Sequence, residues 1–261
     1  MLKRVALVER DGAPAHGMLE ALDEAGLSFV TLHRTQDLPP GTAAAAPADD
    51  RAVGVVPWLA ELGERQESVL GLLADALDCR EGLEPGESRR VLAHATLFAD
   101  ALKLSPSDQS TLERGALLRD LGKMRIPNET LLKTSPLSYD EWRLLQNHTS
   151  LGAGIAGETP ALTDITDILL RHHECYDGDG YPGRLEREGI PYLARIVKIV
   201  DVFCAMTRTR LYRQGQASVE EAIEHLRNER GKHFDPELVD VFLREKIPYA
   251  VEETAHGRSP A

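Results

Sequence analysis

The side chains in this chain with the clearest capacity for chemistry are two adjacent histidines, His172 and His173, in the run RHHECYDGDGYP at 171–182. They close a helical stretch and lead into a turn-forming DGDGYP loop. Neutral imidazole is a common ligand for a transition metal. Successive helical positions point about 100° apart, so both rings reach one metal cluster only at a helix end or where two ions lie side by side. The other reading of such a pair is a solvated helix end. Three further residues favour the metal: Asp120 in LLRDLGK, His148 in QNHTS and Asp201 in IVKIVDVF. Asp201 stands inside an otherwise apolar helix face. A buried unpaired carboxylate is costly, so Asp201 needs a cation or a strong donor. By itself it would read as a surface acid or half of a structural salt bridge.

The elements that must position these residues are helices. From about 58 to 246 apolar residues recur at helical spacing: Leu70, Leu73 and Leu77; Leu92, Ala95, Ala99 and Leu102; Leu112, Ala116 and Leu117. Start signals separate them: Ser105 before Pro106, the pairs Ser138/Glu141 and Ser218/Glu221, and Asp235 before Pro236. The pattern predicts a mainly α protein with a helical bundle at 58–246 and a tail at 247–261. Ahead of it, residues 3–9 read as a strand, 14–25 as a helix stopped by Gly26, 27–32 as a second strand and 52–57 as a third, with a Pro/Ala-rich linker PPGTAAAAPADD between the last two. This small α/β segment, 1–57, resembles a truncated receiver. Glu9 and Asp11 would form its acidic pocket, but no phospho-acceptor Asp follows the third strand.

Composition narrows the partners. With 261 residues, 42% hydrophobic and 28% charged, the chain can bury a core. Thirty basic residues against 42 acidic give −12, which disfavours DNA or any other polyanion as a general partner. An anionic substrate would need a locally positive pocket. Residues 171–213 carry eight Lys or Arg against six Asp or Glu, a local excess of +2. Cys79, Cys175 and Cys204 are odd in number and form no CxxC pair, so no disulfide framework is expected and a reducing cytoplasm fits. No stretch is apolar for long enough to predict a signal peptide or a membrane span.

The run HHECYDGDGYPGRLEREGIPYLARIVKIVDVFCAMTRTRLYR resembles the signature of the HD-GYP family, helical metal-dependent phosphodiesterases that open cyclic di-GMP. LLRDLGKMRIPNETLLK is similar to that family's HD segment and GKHFDPELVDVFL to its closing helix, so the resemblance covers about 66–245. It implies an HD-type bundle in which Asp120, His148, His172, His173 and Asp201 ligate iron, manganese or zinc. It further implies that Asp120 and Lys123 serve catalysis, and that Lys123, Arg210 and Arg213 contact the phosphodiester. The loop residues Asp177, Gly178, Gly180, Tyr181 and Pro182 would face a partner of the GGDEF type.

Two positions depart from the pattern. The family's HD pair is Arg119-Asp120, and the histidine of its GHSRRV-like segment is Glu87 in GESRRV. The resemblance assigns both lost histidines to the same one of two metals. A guanidinium stays protonated and cannot ligate, so one ion or none is expected per chain. Glu87 and Arg119 are expected to form a salt bridge that replaces the missing ion, with Arg119 also touching Asp120 or Asp201. Two functions follow from the resemblance: a weak or inactive cyclic di-GMP phosphodiesterase, or a non-catalytic module that binds the dinucleotide or a GGDEF-type protein.

Overall fold

The computed structural model describes residues 4–8, 28–32, 66–208 and 217–249. The chain divides into two compact units, 1–72 and 73–261. In the first, strands β1 (Arg4–Val8) and β2 (Ser28–Leu32) pair in parallel, with Arg4 opposite Ser28 and Val8 opposite Leu32. Parallel neighbours need a crossover between them. The helix expected at 14–25, the strand at 52–57, Glu9 and Asp11 lie outside the described residues, and one strand pair does not support the receiver-like reading.

Helix α1 (Gln66–Arg80) carries the point of division, fifteen residues after the segment boundary expected at 57. The second unit continues with α2 (Glu87–Leu102), α3 (Pro106–Leu118), a 3-10 turn (Leu121–Arg125), α4 (Asn128–Leu131), α5 (Tyr139–Gln146) and α6 (His148–Gly157). After a second 3-10 turn (Pro160–Ile165) come α7 (Thr166–Arg171), α8 (Tyr192–Met206), α9 (Val219–Asn228) and α10 (Pro236–Arg244). The start signals act as expected. Ser105 Oγ accepts the Asp108 amide, Ser138 and Ser218 form reciprocal capping boxes with Glu141 and Glu221, and Asp235 accepts the amides of Glu237 and Leu238.

Helix α2 has Gly86 at its N-cap, which offers no side chain. Asp78 supplies the missing acceptor from α1, taking the Gly86 amide at 3.1 Å and the Ser88 amide at 3.0 Å. The core gathers around α8, whose Ile196, Val197, Ile199, Val200 and Phe203 are all buried. Phe98 of α2 and Phe203 of α8 both pack on Phe242 of α10, with ring centroids 5.1 and 5.6 Å apart. The buried stripe of α2 is Val91, Ala95, Phe98 and Ala99, so Leu92 and Leu102 flank it instead of filling it. Ile247 belongs to the same core although its position suggested a tail. An apolar side chain one turn past α10 can still fold back onto it.

Candidate functional site

The chain reverses after α3, and that turn carries three charged residues. Arg119 caps α3, Asp120 follows, and the 3-10 turn beyond places Lys123 above Asp120 because side chains three apart nearly eclipse in that geometry. Lys123 Nζ lies 3.0 Å from Asp120 Oδ1 and 2.7 Å from Glu81 Oε2. Gly122 lets α6 approach. A Cβ at this position would stand 1.8 Å from the His148 carbonyl oxygen and 2.4 Å from the Gly152 nitrogen, so any larger residue forces the turn away from α6. The contact delivers His148, the first residue of α6, to within 3.5 Å of Asp120.

His172 caps α7 and His173 lies just beyond it, where the helical divergence of neighbouring side chains no longer applies. Their rings are 4.2 Å apart, and each is within 5.5 Å of the His148 ring. The Nδ1 atoms of His148 and His172 meet the carbonyl oxygens of Leu145 at 2.7 Å and Leu169 at 3.0 Å, which requires Nδ1 to donate. Both Nε2 atoms are then lone-pair acceptors, and both are buried without a hydrogen-bond partner. Orientation of a ring through Nδ1 with Nε2 left open is how metal-ligating histidines are held. One ligand atom from each of Asp120, His148, His172 and His173 falls within 4.8 Å of the others. Three imidazoles and a carboxylate fit iron, manganese or zinc.

Burial pushes all three histidines toward the neutral form, His172 to about 4. For Asp120 burial acts upward, but Lys123, then Arg119 and His148, outweigh it and hold the carboxyl well below its usual range. The site therefore keeps ligand-competent protonation states at neutral pH.

Asp201 sits mid-way along α8 and has the strong donor it needs: Arg119 Nε at 2.5 Å. Arg119 also reaches Asp120 Oδ2 at 3.4 Å and donates to the Ala116 carbonyl at 3.1 Å, and its residue is 4% exposed. The expected contact of Arg119 with Asp201 and Asp120 is present, and the expected pairing with Glu87 is not. Glu87 Oε2 lies 3.4 Å from Arg208 Nε. Two carboxylates already surround the buried guanidinium, while Glu87 stands on the first turn of α2 beside a cation of its own. Asp201, in turn, is engaged by Arg119 and falls outside the four-donor group.

A cavity of about 150 Å³ beside His173 is lined by Asp78, Glu81, Asp120 and Asp201 together with Arg119, Lys123 and Arg208. Four carboxylates against three cations give no positive excess, contrary to the field expected from residues 171–213. Arg210 and Arg213 lie outside the described residues.

The DGDGYP loop forms one wall. Tyr181 stacks on His173 at 4.8 Å. Gly180 passes so close to Glu174 and Cys175 that a Cβ would sit 2.2 Å from the Cys175 nitrogen. Gly178 takes a positive φ of 88°. Asp177 Oδ1 accepts the Asp179 amide, and Asp177, Asp179 and Pro182 are exposed. Sequence reasoning passed over Glu174, which is fully buried and accepts the amides of Gly183 and Leu185, closing the loop. It passed over Glu81, Asp78 and Arg208 as well. His94 stands apart from this group: it packs on Phe203 in the core at 5.2 Å and its Nδ1 meets the Arg90 carbonyl.

Comparison with known proteins locates this geometry. A family described as HD domain matches residues 71–238. The cyclic di-GMP phosphodiesterase response regulator RpfG of Xanthomonas campestris pv. campestris is 37% identical over 186 residues, 70% of this chain and 49% of that protein. A 3'3'-cGAMP-specific phosphodiesterase 2 of Vibrio cholerae is 31% identical over 187 residues, 71% of this chain and 36% of that protein. The chain thus spans half or less of these relatives. Among solved structures, a cyclic GMP-AMP specific phosphodiesterase of V. cholerae superposes with a TM-score of 0.55 at 21% identity, covering 74% of this chain and 53% of that one. Among the described residues, no helix is long and apolar enough to cross a membrane.

Proposed function

The chain belongs to the HD domain family, in its HD-GYP branch, and on that premise we propose that it is a signalling module that binds a cyclic dinucleotide of the cyclic di-GMP class at a single-metal site and hydrolyses it weakly or not at all. The observation that carries this reading is the Arg119 guanidinium between Asp120 and Asp201, at the position where the family pattern has a ligating histidine. A permanent cation there repels a second ion and uses the carboxylates that would hold one. Asp120, His148, His172 and His173 would hold the remaining ion. A divalent ion there supplies Lewis acidity and two positive charges, which turns the cavity lining from an excess of carboxylates to an excess of cations.

The protein's own groups then divide the work. The backbone carbonyls of Leu145 and Leu169 fix the tautomer and aim of the His148 and His172 rings, and burial keeps those rings neutral. Lys123, held between Asp120 and Glu81, presents an ammonium to a phosphodiester oxygen. Tyr181 shields His173 from solvent. Arg210 and Arg213 would hold the second phosphate. The second reading, a module for a GGDEF-type protein, draws on the exposed acidic face of the loop at Asp177 and Asp179.

Metal content and turnover of cyclic di-GMP, measured on one manganese-loaded sample, test the proposal. One ion or fewer and slow or absent turnover are expected, with a marked gain of both metal and turnover in the double variant Glu87→His/Arg119→His. Two ions in the parent, or rapid turnover abolished by His172→Ala, would overturn it.

A further inference from the structure

Asp201 and Ala205, one turn apart on α8, and Arg208, two residues past the end of that helix, all line the cavity that holds Asp120 and Lys123. Arg208 shares that cavity with Lys123, Asp120 and His173. Its side chain is 15% exposed, and its Nε is buried with no hydrogen-bond partner. The carboxylate of Glu87, at 3.4 Å, supplies charge without hydrogen-bond geometry. A buried guanidinium N–H left unmatched beside a cavity is an unfilled demand for an anionic acceptor, because such donors are nearly always satisfied in folded proteins.

The volume restricts the acceptor. About 150 Å³ is below the ~300 Å³ that encloses a drug-sized ligand, so the cavity takes one group of a larger molecule. A phosphodiester matches both the size and the planar donor fork of arginine.

We infer that Arg208 is a phosphodiester-binding residue of this pocket and that Glu87 is its positioning residue, a carboxylate that holds the guanidinium over the cavity and competes with the incoming anion. The inference rests on the cyclic-dinucleotide reading above and adds to it a residue that the family signature does not supply. Glu87, which that pattern would make a ligand, instead sets how tightly substrate is held.

Calorimetric titration of cyclic di-GMP into manganese-loaded protein tests this with two variants that move affinity in opposite directions. Arg208→Ala should weaken binding about 10- to 100-fold, the range for loss of a charged hydrogen bond. Glu87→Gln should tighten it, because the competing charge is gone. A purely structural role for the pair would make both variants bind worse, in step with any loss of melting temperature. Equal affinity of Arg208→Ala and the parent overturns the inference while leaving the dinucleotide reading intact. A parent that does not bind cyclic di-GMP overturns that reading and this inference with it.

Discussion

Arg119 joins groups that would otherwise repel, Asp120 and Asp201, inside the protein. Such a pair need not stabilise more than an apolar contact would, but removal of one member strands the other. Arg119→Ala should therefore cost about 3 to 5 kcal/mol in urea denaturation of the metal-free protein. An unchanged midpoint would mean that Asp201 finds another donor. The same penalty does not attach to Glu87, whose partner is Arg208. Here the reach of the sequence is visible. The twin histidines, Asp120 and His148 are legible as a group because their types and motif point to one cluster of donors, and the structure brings them together. Which acid takes the Arg119 charge is not, since Glu87, Asp120 and Asp201 are equal candidates until distance separates them. Glu81 and Asp78 carry no signal at all, because an acid near a helix end is most often solvated.

At the scale of elements, the site depends on how closely the Leu121–Arg125 turn lies on α6. Gly122 sets that distance, and its neighbours are backbone atoms that cannot rotate aside. Gly122→Ala should separate Asp120 from His148 and reduce affinity for cobalt at least tenfold in an absorption titration, with a lower melting temperature. Retained affinity would show that the turn can shift without carrying Asp120 along. Four of the ten helices among the described residues are readable from their caps, and Ser105, Ser138, Ser218 and Asp235 all perform as their spacing implies. The start of α2 is not. Its capping acceptor, Asp78, comes from another helix, and no local pattern reports a cap supplied across space.

Over the whole molecule, the HD-type bundle follows from apolar periodicity together with the signature run, whereas the extent of the core does not. Ile247, 3% exposed, lies beyond the last strong helical pattern yet packs with the Phe242 cluster. Ile247→Ala should cost about 2 to 5 kcal/mol, and a domain of this size loses roughly 2 to 4 °C of melting temperature per kcal/mol. A shift below 2 °C would return the residue to the tail. A bundle with its core centred on α8 also places Asp201 at the middle of its most buried helix. The link from Arg119 to that helix has a lasting effect. An ion joining α3 to α8 could be stripped by a chelator or lost under metal starvation, whereas a guanidinium bonded to its own backbone cannot leave. The brace between the two helices is therefore independent of any ion that Asp120 and the three histidines would hold, and the scaffold keeps its shape whatever the metal supply.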